Sequence, residues 1–140
     1  MPSDSTIRKN LLKAKAASSL SDFPTHKLGA VMMLGNKVLS VGYNITKTHP
    51  IQKTYNIERG YDQNVKNNGQ VHAEMMCIIN TRYMDVDWSK VSLYIYREHK
   101  NHSPALAKPC PACERAIKER GISQVYYTTE GIPYKAVNYK

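Results

Sequence analysis

A histidine at position 72 with a glutamate at 74, and cysteines at 110 and 113, constrain this chain more than any other feature of it. Four side chains suited to metal and proton chemistry fall in two short motifs, "VHAEMM" and "KPCPACE", well separated in sequence. A fold that uses them together must bring the motifs side by side. Each stands where a helix is expected to begin. "AEMMCIINTRYM" has an apolar body of Met75, Met76, Ile78 and Ile79, and "PACERAIKER" is opened by Pro111 and stopped by Gly121. A helix N-terminus carries unpaired N–H groups and a partial positive charge, which favour a thiolate. Cysteines at i and i+3 in a first turn can point at one ion, and His72 reaches the same ion if the two helices lie side by side. Two sulfurs and an imidazole suit Zn2+. Three protein ligands leave a fourth position open for water, which is the arrangement of a catalytic rather than a structural zinc. Glu74 projects to a different side from His72. It need not ligate, but it can reach back over the water and carry its proton.

Two plainer readings compete for the cysteine pair: a redox dithiol, or half of a structural zinc finger. No thioredoxin-like context surrounds the pair, and no second Cys pair exists to close four-fold coordination. Cys77 lies among Met76, Ile78 and Ile79, more than a helical turn past His72, and reads as a small core residue. His49, His99 and His102 read as loop or surface residues. Three cysteines make no disulfide framework and fit a reducing compartment. Near the start, Leu11, Leu12 and Ala16 are interleaved with lysines, so no signal peptide is read. No apolar run approaches the ~20 residues of a membrane span. The expectation is a cytoplasmic protein without a membrane partner. At 140 residues the chain forms one domain, 1–140, able to bury a core without disulfides. Its net charge of +9 favours phosphate-bearing partners, nucleotide or nucleic acid. The Lys and Arg are spread along the chain, so the charge does not locate such a ligand.

The remaining sequence reads as follows. Residues 5–20 form a helix, with Ser3, Asp4 and Ser5 as cap candidates and Ile7, Leu11, Leu12 and Ala16 on its apolar stripe. "LGAVMML", Gly35-Asn36 and "KVLSVGYN" form a hairpin. Residues 45–70 are a long polar loop of the kind that carries function. "VSLYIYR", "QVYYTT" and "YKAVNY" are strands. Strand–helix–strand units imply parallel pairing within a mixed sheet. Eleven residues follow Thr129, too few for a parallel crossover, so the last strand is expected to be antiparallel.

His-x-Glu followed by Pro-Cys-x-x-Cys is the pattern of zinc deaminases that act on cytosine or adenine. The sequence resembles the cytidine and deoxycytidylate deaminase superfamily over roughly residues 26–129. "LGAVMMLGNKVLSVGYN" is similar to that family's first hairpin, "LYIYREHKNHSPALAKPCPAC" to its third strand entering the second zinc motif, and "GISQVYYTT" to its fourth strand. The resemblance implies a three-layer α/β fold, a mixed five-stranded sheet with helices on both faces. It implies zinc on His72, Cys110 and Cys113, and Glu74 as the proton carrier in hydrolytic removal of an amine from C4 of a cytosine or C6 of a purine. It also implies that the Ala73 N–H bonds the base carbonyl and that Asn44 bonds the sugar, although Asn44 also reads as a turn residue ending its strand. His26 falls where nucleoside deaminases stack a phenylalanine on the base. Relatives usually form homo-oligomers. The first loop has no Cys, so the second zinc set of several deoxycytidylate deaminases is absent.

Three substrate classes follow: a free (deoxy)cytidine or its monophosphate, a base within single-stranded DNA or RNA, and, as a non-enzymatic reading, simple nucleotide binding. The 45–70 loop carries Lys47, Lys53, Arg59 and Lys66 with Tyr55 and Tyr61. The 97–108 loop adds Arg97, Lys100, His102 and Lys108. Both suit a phosphate, single or within a strand.

Overall fold

A computed structural model describes residues 2–23, 27–46, 49, 51, 72–98, 103, 105–130 and 132–139. Helix α1 runs Asp4–Ser18. The Ser3 hydroxyl caps it, accepting the Thr6 N–H at 3.2 Å, and Asp4 stands at its positive end. Its buried stripe is Ile7, Leu11, Ala14 and Ser18, flanked by Asn10 and Ala17. This corrects the stripe read from the sequence: Leu12 is 63% exposed and Ala16 faces solvent. Leu12 lies about 100° around the helix from Leu11, which carries it away from the sheet. The small residues face inward because the helix crosses the sheet very closely. A Cβ on Gly29 would sit 1.9 Å from the Ala14 carbonyl oxygen.

Strands β1 (Leu28–Leu34) and β2 (Lys37–Tyr43) form the expected antiparallel hairpin, turning at Gly35, whose φ of +59° suits glycine. Strands β3 (Val91–Arg97), β4 (Gln124–Tyr127) and β5 (Lys135–Asn138) complete a mixed sheet of order β2-β1-β3-β4-β5. β1 and β3 are antiparallel, β3 and β4 are parallel, and β5 returns antiparallel to β4, as expected. The parallel step is bridged by helix α3, Pro111–Arg120, and helix α2, Ala73–Asn80, precedes β3.

Alternation along the strands builds two cores. Val31, Met33, Tyr94, Tyr96 and Tyr126 pack under α1 with Ile7 and Leu11. Ala30, Met32, Leu93, Ile95 and Val125 pack on the other face with Ala73, Met75, Cys113 and Ile117 from α2 and α3. β3 is buried from Val91 to Tyr96 because both layers cover it. These are the three layers implied by the resemblance. Helix α2 ends at Asn80, short of the Met84 end read from the sequence. There the side chains of the following turn take its last carbonyls: the Thr81 hydroxyl donates to the Cys77 oxygen at 2.8 Å, and Arg82 donates to that of Ile79 at 2.6 Å. Among the described residues, no helix is long and apolar enough to cross a membrane.

Candidate metal centre and its cleft

Both motifs open helices on the same face of the sheet. His72 is the N-cap of α2, and Cys110 is the N-cap of α3, each with extended backbone and neither using its side chain to cap. Pro111 takes the first helical position of α3, where its missing N–H costs nothing. Cys113 lies in the first turn and is fully buried. The helix heads meet: His72 Nδ1 lies 3.5 Å from Cys110 Sγ and 3.2 Å from Cys113 Sγ. All three donor atoms lie within 4.8 Å of one another.

This donor set fits zinc. Ligand distances of about 2.3 Å to sulfur and about 2.0 Å to nitrogen give tetrahedral N···S edges of about 3.5 Å. The observed separations fall within a few tenths of an ångström of that. The electrostatics agree. The Cys110 thiol is pushed down to about 3, first by its hydrogen bond with Cys113 and then by His72, against the opposing effect of burial. Burial works to lower the His72 imidazole, but its hydrogen bond to Cys110 and the charges of Glu74 and Cys110 carry it above its ordinary value. Cys77, by contrast, is buried in the core and pushed up to about 12 by burial, so it stays a thiol, in line with its reading as a core residue.

Glu74 is 3% exposed, one residue inside α2, and outside the converging donor set. Burial raises its carboxyl above the usual range, opposed by His72 and by its own backbone N–H. A buried carboxylate with a raised pKa beside a metal site is suited to taking up and releasing a proton.

A cleft of about 350 Å³ opens onto these groups. His72, Glu74 and Cys110 form its reactive end, with Ala73 beside them. Asn44 and Lys108 give it polar walls. The Asn44 side-chain oxygen accepts the Leu28 N–H at 2.9 Å, and its backbone N–H donates to the Leu28 carbonyl at 3.3 Å. It therefore clamps the start of β1, as a strand-ending residue does, while also lining the cleft. Phe23 and Leu28 supply the apolar wall. Sequence reasoning missed Phe23. The available signal was that it is the chain's single Phe, standing just before β1. His26, proposed for that role, lies outside the described residues, as do Lys47 and residues 48, 50 and 52–70 of the first loop and 99–102 and 104 of the second. Of the second loop's cations, Lys108 reaches the cleft, whereas Arg97 turns to the Leu106 carbonyl at 3.4 Å.

One buried hydroxyl holds the approach to Cys110. Thr128 Oγ1 accepts the Arg97 N–H at 3.0 Å and donates to the Ala105 carbonyl at 2.8 Å, while the Thr128 carbonyl accepts the Ala107 N–H at 3.0 Å. Thr128→Val strands the buried Ala105 carbonyl and the part-buried Arg97 N–H and is expected to cost about 1–3 kcal/mol in urea unfolding. Thr128→Ser keeps the hydroxyl and is expected to recover most of that loss.

A family model described as "Cytidine and deoxycytidylate deaminase zinc-binding region" matches residues 3–129. No curated protein matches the chain by sequence. Among solved structures, the chain is similar to cytidine deaminase from Burkholderia pseudomallei, with a TM-score of 0.64 at 16% identity over 98% of this chain and 93% of that one. It is also similar to dCMP deaminase from cyanophage S-TIM5 in apo form, with a TM-score of 0.63 at 20% identity over 90% and 84%. The same phage enzyme in complex with dCMP and dUMP gives 0.62 at 18% identity over 91% and 83%. At these identities the likeness is one of fold.

Proposed function

This chain belongs to the cytidine and deoxycytidylate deaminase family of zinc-dependent hydrolases, and from that premise we propose that it converts a cytosine base to uracil on a free (deoxy)cytidine or its monophosphate. The convergence of His72, Cys110 and Cys113 at one end of a cleft, with buried Glu74 beside them, carries the reading. His72, Cys110 and Cys113 would hold a zinc ion, which would supply a water of lowered pKa as nucleophile. The chain's own residues do the rest. Glu74 takes a proton from the attacking water and delivers it to N3 of the base. It then takes the proton of the hydroxyl now on C4 and gives it to the departing amine. One water is consumed, the C4–N bond breaks, C4 gains its carbonyl oxygen, and ammonia leaves. The Ala73 N–H, at the first helical position and without an intrahelical acceptor, donates to the base carbonyl. Asn44 bonds the sugar, and Phe23 packs against the apolar faces of the substrate.

The +9 charge favours a second reading, a base within single-stranded nucleic acid. One experiment separates the two: ammonia release from cytidine, dCMP and a cytosine-bearing oligonucleotide by the zinc-loaded protein. Turnover of the free compounds is expected. Release from the oligonucleotide alone would replace the first reading with the second, and release from none would sink both.

A further inference from the structure

We propose that Lys108 makes this protein selective for a nucleoside 5′-monophosphate over the nucleoside, by pairing its ammonium with the phosphate in the cleft that holds the reactive groups; the inference rests on the deaminase reading above. Backbone placement comes first. Ala107 is buried and its N–H is held by the Thr128 carbonyl, Pro109 is buried, and Cys110 caps α3. Lys108 stands between these anchored neighbours with its own side chain exposed, so the chain turns it outward while fixing its Cα. The side it turns to is the cleft.

Charge comes second. Apart from the ligand His72, Lys108 is the one cationic side chain in the described wall of the cleft. Lys90 and Lys118 are matched within the fold, 3.9 Å from Asp87 and 3.3 Å from Glu114, and the exposed Lys9, Lys37 and Lys135 do not line the cleft. Among the described residues Lys108 has no carboxylate or hydrogen-bond partner. An ammonium carried on a fixed backbone, facing a ligand cleft and unmatched by the protein, is matched by an anion on the ligand. The reacting base occupies the metal end beside Glu74. A nucleotide carries its anion away from the reacting carbon, as a 5′-phosphate on the sugar.

A phosphate remote from the reacting carbon is held equally in ground and transition states, so the contact acts mainly on KM. The test compares kcat/KM for deoxycytidine 5′-monophosphate and deoxycytidine, using zinc-loaded wild type, Lys108→Ala and Lys108→Arg. The wild type is expected to prefer the monophosphate. Lys108→Ala is expected to lower that preference by about tenfold or more through KM, and Lys108→Arg to keep most of it. Added salt should erode the wild-type preference and leave the Lys108→Ala ratio flat. A wild type that prefers deoxycytidine overturns the inference, as does a Lys108→Ala ratio equal to wild type, or an equal loss on both substrates, which would mark Lys108 as serving the reactive groups. In each of these cases ammonia is still released and the deaminase reading stands. Absence of ammonia from both substrates overturns the two together.

Discussion

Glu74→Gln is expected to lower turnover by about a hundred- to ten-thousandfold while leaving the zinc content of the protein unchanged. The substitution is nearly isosteric, so the first turn of α2 keeps its packing. An amide cannot shuttle a proton from water to the base and on to the leaving amine. The metal should stay because the three converging donors are His72, Cys110 and Cys113, and Glu74 is not among them. Cys113→Ser provides the contrast. It removes a ligand, so zinc and turnover should fall together. Metal analysis beside steady-state kinetics distinguishes the two variants. Full activity in Glu74→Gln, or loss of its zinc, would show that the carboxylate does something other than move protons.

The sequence pointed to this site because its chemistry is concentrated at helix starts, where local signals are strongest. Pro111 and Gly121 bracket α3, and the observed helix has those bounds. The short tail after β4 predicted an antiparallel last strand, and β5 pairs that way. Periodicity was weaker where the packing surface is made of small residues. Ala14, Ala17 and Ser18 bury against the sheet because Gly29 lets α1 come close, yet none of them stands out in a hydrophobic pattern. Leu12 stands out and is exposed. Phe23 was missed for a related reason. It lies between elements, where no repeat marks a face, yet it lines the cleft. Asn44 was read in two ways, and its clamp on Leu28 gives the strand-ending one in geometry.

Gly42→Ala is expected to damage both stability and metal binding, although it adds one methyl group to a strand. A Cβ at position 42 would lie 2.1 Å from the Ala73 carbonyl oxygen and 2.9 Å from Cys77 Sγ. The nearer atom is backbone, so no rotamer change relieves the contact, and β2 and α2 must move apart. Overpacking of this kind costs about 1–3 kcal/mol, and a clash with helix backbone belongs at the upper end. The position makes the effect functional. Ala73 stands between His72 and Glu74, so the displaced segment carries one metal ligand and the proton carrier. Zinc affinity should fall by about ten- to a hundredfold, as it does when a group orienting a ligand is lost. Gly35→Ala is the matched control. It meets no atom within 4 Å, but its φ of +59° strains any residue with a Cβ, at a cost of about 1–2 kcal/mol. Its turn lies at the far end of the hairpin from the cleft, so its zinc affinity should match wild type. Equal zinc affinities in the two variants would show that the close approach at Gly42 serves packing alone, with the metal centre held by α3 and the chain leading into it.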